Sequence, residues 1–260
     1  MLDLNHGSGP IWPPPPTTAA SDAVNAYIDA ALVARNRSQT PRDYLGGSRV
    51  GEPCARKLVY EVTHTTKDPG ADFAGPILRV FDAGHAFEAL SIRWLREAGF
   101  DLRDQRADGG QFGFEAAGGR LRGHIDGVIV AGPAIGVRWP ALWEHKALNT
   151  RSWSDLVKRG LRLSKAVYFA QVQLYMAYME LGVALFTALN KDSQALYHEI
   201  VPFEPAAAQA LSDKAVAVIR AAEAGELPPR MASAPDFFLC RMCDWAKRCW
   251  AADAAEVALR

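Results

Sequence analysis

The sequence predicts an α/β fold, a mixed sheet flanked by helices, and three observations carry that expectation. Residues 120–130 place apolar and polar side chains on opposite faces with the period of two of a strand, and in 143–147 the same period puts Glu144 and Lys146 together, opposite Trp143, His145 and Ala147. Residues 77–98 and 164–181 instead repeat apolar residues every three or four positions, the spacing of one helix face. The two patterns alternate along a 260-residue chain that is 49% hydrophobic, enough to bury a substantial core in one large domain.

In chain order, residues 1–21 include four consecutive prolines, Pro13 to Pro16, and read as a disordered or polyproline arm. Helices are expected over 21–35, 54–62 and 77–98, the last with Phe81, Leu90, Trp94 and Leu95 as its apolar stripe. Strands follow near 100–106, 111–116, 120–130 and 139–148. Helices near 152–159 and 164–181, strands near 183–189 and 194–202, and a helix over 205–225 complete the order. Residues 22–250 are expected to form a single domain, with 251–260 as a C-terminal tail. No apolar run is long enough to span a membrane, and the absence of a secretory signal predicts a cytoplasmic protein.

Strand periodicity singles out an acid and then an acid with a lysine. In 120–130, Leu121, Ile125 and Ile129 share the apolar face, whereas Arg120, Arg122, His124 and Asp126 share the other. Two positions apart, Glu144 and Lys146 lie on one face, opposite Trp143, His145 and Ala147. Two carboxylates and an ammonium can thus converge over one edge of a hairpin, a hard oxygen donor set suited to Mg2+ or Mn2+ rather than Zn2+. The same residues would also serve as the solvated face of an antiparallel sheet. On the 77–98 helix, His85 and Glu88 lie three apart and face one way. Tyr168, Gln171, Tyr175 and Tyr178 form one amphipathic, aromatic stripe on the 164–181 helix, a pattern shared by core packing and by substrate contact.

The four cysteines are Cys54, far from the rest, and Cys240, Cys243 and Cys249 in a C-x2-C-x5-C cluster. Four thiolates suit a 4Fe-4S cluster or tetrahedral Zn2+, and spacing alone does not choose between them. Free thiols remain a third reading, and disulfides suit a cytosolic chain least. Formal net charge is zero, which argues mildly against a DNA-coating protein. Cations are nevertheless concentrated at Arg151, Lys158, Arg159, Arg162 and Lys165, against the single acid Asp155, and again at Arg241, Lys247 and Arg248 beside the late cysteines. The first group is either a solvated face or a DNA-tracking surface, and Trp153 within it either packs or stacks on a base.

Taken in order, Gly84-His-Ala-Phe-Glu88, Gly123-His-Ile-Asp126, Glu144-His-Lys146 and Gln171-x-x-x-Tyr175 resemble the four motifs of the PD-(D/E)XK nuclease superfamily, in particular its RecB-like exonuclease branch. The resemblance implies a restriction-endonuclease-like α-β-β-β-α-β core. It implies that Asp126 and Glu144 ligate Mg2+ or Mn2+ together with the His145 carbonyl, with Glu88, or failing that His85, as a further ligand. Lys146 would orient or activate the water, and Gln171 and Tyr175 would contact the phosphate backbone or orient Lys146. The early and late cysteines, with Cys54-Ala-Arg-Lys-Leu-Val-Tyr60 as a short N-terminal helix, resemble the iron-sulfur nucleases of this branch, such as the CRISPR-associated adaptation nuclease and AddB-type domains. That implies a 4Fe-4S cluster, with structural Zn2+ as the alternative, joining the N- and C-terminal segments. The function implied is a metal-dependent DNA exonuclease acting on free ends or single strands, in recombination, repair, phage DNA processing or CRISPR adaptation, with protein partners in such complexes. A structure-specific or restriction-type endonuclease and a non-catalytic, zinc-stapled DNA-binding subunit stand as alternatives.

Overall fold

The computed structural model describes residues 18–257, with side chains through residue 251. Most of the proline-rich arm and the last three residues of the expected tail lie outside the described residues. The helices are α1 (Thr18–Arg37), α2 (Ala55–Val62), α3 (Gly75–Glu97), α4 (Thr150–Ser164), α5 (Ala166–Tyr178), α6 (Pro205–Ala224), α7 (Phe238–Arg241) and α8 (Ala246–Val257). The strands are β1 (Leu45–Gly46), β2 (Asp101–Arg103), β3 (Gly113–Ala116), β4 (Leu121–His124), β5 (Gly127–Ala131), β6 (Ala141–Leu148), β7 (Val183–Asn190) and β8 (Leu196–Pro202). They divide into two compact units: a smaller one, residues up to Thr40 with Phe73–Phe81, and a larger one, Pro41–Asp72 with the chain from Asp82 onward.

In the larger unit a five-stranded sheet runs in the order β2-β5-β6-β7-β8. Its centre is the parallel pair β6 and β7, and the chain passes between them through α4 and α5. Both strands are buried along most of their length, which is why β7 reads as a nearly continuous apolar run while β6 carries Glu144, His145 and Lys146 inside the fold. Ile92 and Leu95 of α3 pack against Leu102, Ile129, Trp143 and Leu185 on one face. Leu156, Leu161, Val172 and Met176 of α4 and α5 pack against Leu142, Ala184 and Phe186 on the other. A second, three-stranded sheet, β1-β4-β3, shares a separate core with α2 and α6, built from Leu45, Leu58, Leu121, Ala215 and Val218.

Three expectations are corrected. The strand expected over 120–130 is broken at Ile125 and Asp126, with β4 in the small sheet and β5 in the large one. Burial nevertheless alternates straight through the break, so the assignment of faces holds although the chain changes sheet. The helix near 152–159 continues to Ser164 across a kink at Gly160, whose φ of 72° is in the left-handed region. The Glu199 carboxylate accepts the freed Leu161 N–H at 2.8 Å and so caps the turn beyond the kink. The helix expected over 164–181 is not amphipathic: residues 170–176 of α5 are all buried, because the sheet and α6 enclose it.

In the smaller unit, α1 buries no residue and is longer than expected at both ends. Asp29 pairs with Arg79 on the part of α3 before Asp82, and Phe73 meets Phe81 edge-on at 5.1 Å between centroids. Among the described residues no helix is long and apolar enough to cross a membrane.

Candidate active site

The antiparallel register of β5 and β6, Gly127 opposite Trp143, brings Asp126, just before β5, level with Glu144. Asp126 Oδ2 accepts the His145 N–H at 2.8 Å. Glu144 is fully buried, and its Oε1 accepts from Lys146 Nζ and, at 2.5 Å, from Gln171 Nε2 on α5. Lys146 Nζ also donates to the His145 carbonyl at 3.0 Å and lies 5.4 Å from the Tyr168 ring centroid. Glu144 Oε2 is buried with no hydrogen-bond partner among the described residues, an arrangement that costs free energy unless something fills it.

The electrostatics show acids in excess. Burial, then the charge of Asp126, pushes the Glu144 carboxyl up to about 8 despite the neighbouring lysine. The same two causes push Glu88, on α3, up to about 7, so Glu88 belongs to the same electrostatic cluster. Burial disfavours the Lys146 charge, yet Glu144 and Asp126 prevail and hold it above the usual lysine range, as an ammonium. Among the described residues no three His, Cys, Asp or Glu side chains already stand as a closed set of metal ligands. The orphaned Glu144 oxygen and the all-oxygen donor set of Asp126, Glu144 and Glu88 nonetheless fit a hard divalent cation that keeps several waters.

These shifts set a pH dependence for the metal-free protein. Glu88 and Glu144, raised above the ordinary 4.5, bind protons more tightly folded than unfolded, so they withdraw stability as pH rises from there through about 7 and about 8. Burial holds His145 neutral, lowering it from 6.5 to about 3, so its opposite contribution is complete above 6.5 and lost as pH falls. The carboxylates therefore dominate from pH 6.5 to 8, and stability is expected to fall across that window. Thermal melting in a chelator checks this; Glu88→Gln should flatten the decline, and a midpoint that rises over the window would contradict it.

The remaining residues named from the sequence take distinct places. The His145 side chain lies on the other face of β6, where its Nε2 is 3.0 Å from Ser91 Oγ of α3. Tyr175 is buried and meets Phe114 edge-on, so it braces the site from below and does not reach solvent. Gly123 makes room for it, since a Cβ there would stand 2.3 Å from Phe114 and 2.8 Å from Tyr175. His85 points outward, its side chain 83% exposed and 3.9 Å from Glu88. Ser91 was missed by the sequence reasoning; its only available signal was its place one turn after Glu88.

All four cysteines line one small cavity, together with Arg56, Lys57, Tyr60, Arg230 and Trp250. Cys54 is the N-cap of α2, while α7, α8 and the turn between them carry the other three. None forms a disulfide, and Arg56 Nη1 approaches Cys249 Sγ at 3.8 Å. Arg159 of α4 and Lys165, between α4 and α5, pair with Asp155, and Arg162 pairs with Glu204, whereas Arg151 and Lys158 are exposed. Trp153 packs against the core with its indole N–H buried and without a partner among the described residues, so packing is its evident role.

A helix, a mixed sheet with an acid on one strand and an acid and lysine on the next, and a second helical layer together form a mixed α/β fold. That fold is shared with the solved alkaline exonuclease LHK-Exo of Laribacter hongkongensis, at a TM-score of 0.51 and 16% identity over 77% of this chain and 93% of that one. The same enzyme in complex with dAMP gives 0.50 and 18% over the same shares. SSO0001 gives 0.51 and 14%, covering 88% of this chain and 96% of that one. No protein-family model and no curated protein matches the sequence.

Proposed function

We propose that this protein is a divalent-metal-dependent deoxyribonuclease of the RecB-like PD-(D/E)XK kind, acting as an exonuclease. The observation that carries the reading is a buried Glu144 whose one oxygen holds Lys146 and Gln171 while the other is left unsatisfied beside Asp126. Asp126 and Glu144, with Glu88 and the His145 carbonyl, would hold Mg2+ or Mn2+. When bound, such an ion supplies charge stabilisation at the scissile phosphate and acidifies a water. Lys146, kept charged, has an N–H beyond those given to Glu144 and His145 with which to orient the attacking water or a phosphate oxygen. Gln171 fixes the Glu144 rotamer, and Tyr175 supports the layer beneath. Exposed Arg151 and Lys158 on α4 offer cations to a nucleic-acid backbone.

The likeness to an alkaline exonuclease supports this reading at the level of the fold. The cysteine cavity is read as the seat of a structural 4Fe-4S cluster, with Zn2+ as the alternative, and the setting as cytoplasmic recombination, repair, phage DNA processing or CRISPR adaptation. The test uses end-labelled linear DNA and a covalently closed, unnicked circle, each with and without Mn2+. Linear DNA is expected to be degraded only with Mn2+ and the circle spared. Linearisation of the circle would replace exonuclease by endonuclease, and no cleavage of either would favour a non-catalytic DNA-binding subunit.

A further inference from the structure

We propose that Ser91 is a positioning residue of this site, acting through His145; the inference rests on the nuclease reading above. Its hydroxyl lies 3.0 Å from His145 Nε2, and both residues are buried, at 2% and 4% exposure, so no bulk water competes for the bond. His145 is the residue from whose backbone the site hangs: its N–H holds Asp126 and its carbonyl holds Lys146. On α3, Ser91 follows Glu88 by three positions and therefore shares its face. One hydrogen bond thus ties the helix carrying Glu88 to the strand carrying Glu144 and Lys146.

The rest of the contact between α3 and the sheet is apolar, through Ile92 and Leu95 against Trp143, Ile129 and Leu185, apart from Arg96 near the far end of the helix, whose Nε donates to the Leu102 carbonyl of β2 at 2.9 Å. Apolar burial is non-directional and resists separation of the layers more than sliding between them. A hydrogen bond has a preferred distance and angle, so the Ser91–His145 bond sets the Glu88-bearing part of the helix along and around its own axis. A hydrolytic site is sensitive to that setting, because a misplacement of about 1 Å can cost about 10²-fold in rate.

The test compares Ser91→Thr with Ser91→Val, which add the same bulk and differ in the hydroxyl alone. Relative to the threonine variant, the valine variant is expected to lose about 10-fold or more in kcat. It should also need more Mn2+ for half-maximal rate, with the KM for DNA unchanged, since α4 is untouched. In parallel, amide hydrogen exchange without DNA or metal should be faster at residues 144–146 in the valine variant, relative to β7 amides. Equal exchange in the two variants overturns the proposal whatever the rates, and so does different exchange with equal kcat in a protein that cleaves. Different exchange in a protein whose parent form cleaves nothing would uphold the tie to His145 and overturn the nuclease reading instead.

Discussion

Glu144→Gln is expected to abolish cation-dependent cleavage with the fold intact. The amide has the shape of the carboxylate and keeps an oxygen to accept from Lys146 and Gln171, so the packing of β6 against α5 is retained. What changes is the position now occupied by the unsatisfied Oε2, where a donor would replace an anionic acceptor. A bound cation contributes several kcal/mol of charge stabilisation, and at 1.36 kcal/mol per decade its loss lowers the rate by about 10³-fold or more. Asp126→Asn should match it, and Lys146→Ala should cost roughly 10²-fold as a lost positioned donor. Single-turnover cleavage with Mn2+, with a thermal melt of each variant, is the measurement; parental rates in the Asp126 or Glu144 variant would remove both residues from the mechanism.

The second large effect is expected at the cysteines. Protein purified without oxygen should be brown, with about four irons per chain for a complete cluster. Serine at Cys54, Cys240, Cys243 or Cys249 should each bleach it and lower the melting midpoint, because metal binding free energy is folding free energy where ligands come from distant segments. The cavity draws Cys54 at the start of α2 to the turns around α7 and α8, and the cluster would add ligand bonds to contacts that already join these segments, such as Arg56 to Cys249 and the Asp68 N–H to the Asp244 carbonyl. Stoichiometric zinc and no iron after anaerobic purification would replace the cluster assignment and leave the nuclease reading in place.

The faces of β6 were readable in the sequence because period-two alternation survives even in a strand buried on both sides: Glu144 and Lys146 point one way, His145 and Trp143 the other. The face of Asp126 was readable for the same reason, but the change of sheet at Ile125 and Asp126 was not. Alternation records which way a side chain points and is silent about which partner strand the backbone takes. Tyr175 was named as a residue that contacts the phosphate backbone or orients Lys146, and it is buried; a helix enclosed by sheet and helix carries polar groups inward as readily as outward, and spacing cannot distinguish the two. Ser91 escaped notice since its importance lies in a contact 54 positions away. The Gly160 kink was likewise hidden, because its stabilising group, Glu199, comes from β8.

The break between β4 and β5 gives the acid pair two foundations. Asp126 is reached along a rail that starts in the small sheet, whose core also takes in Leu58 and Val59 of α2, the helix opened by Cys54. Glu144 and Lys146 stand on the large sheet, whose own core lies under α3, α4 and α5. Asp126 thus stands at the joint, held to β6 by its bond to the His145 N–H and to the small sheet through β4, so a disturbance at the cysteine end can reach it along β4 while Glu144 and Lys146 keep their neighbours on the large sheet.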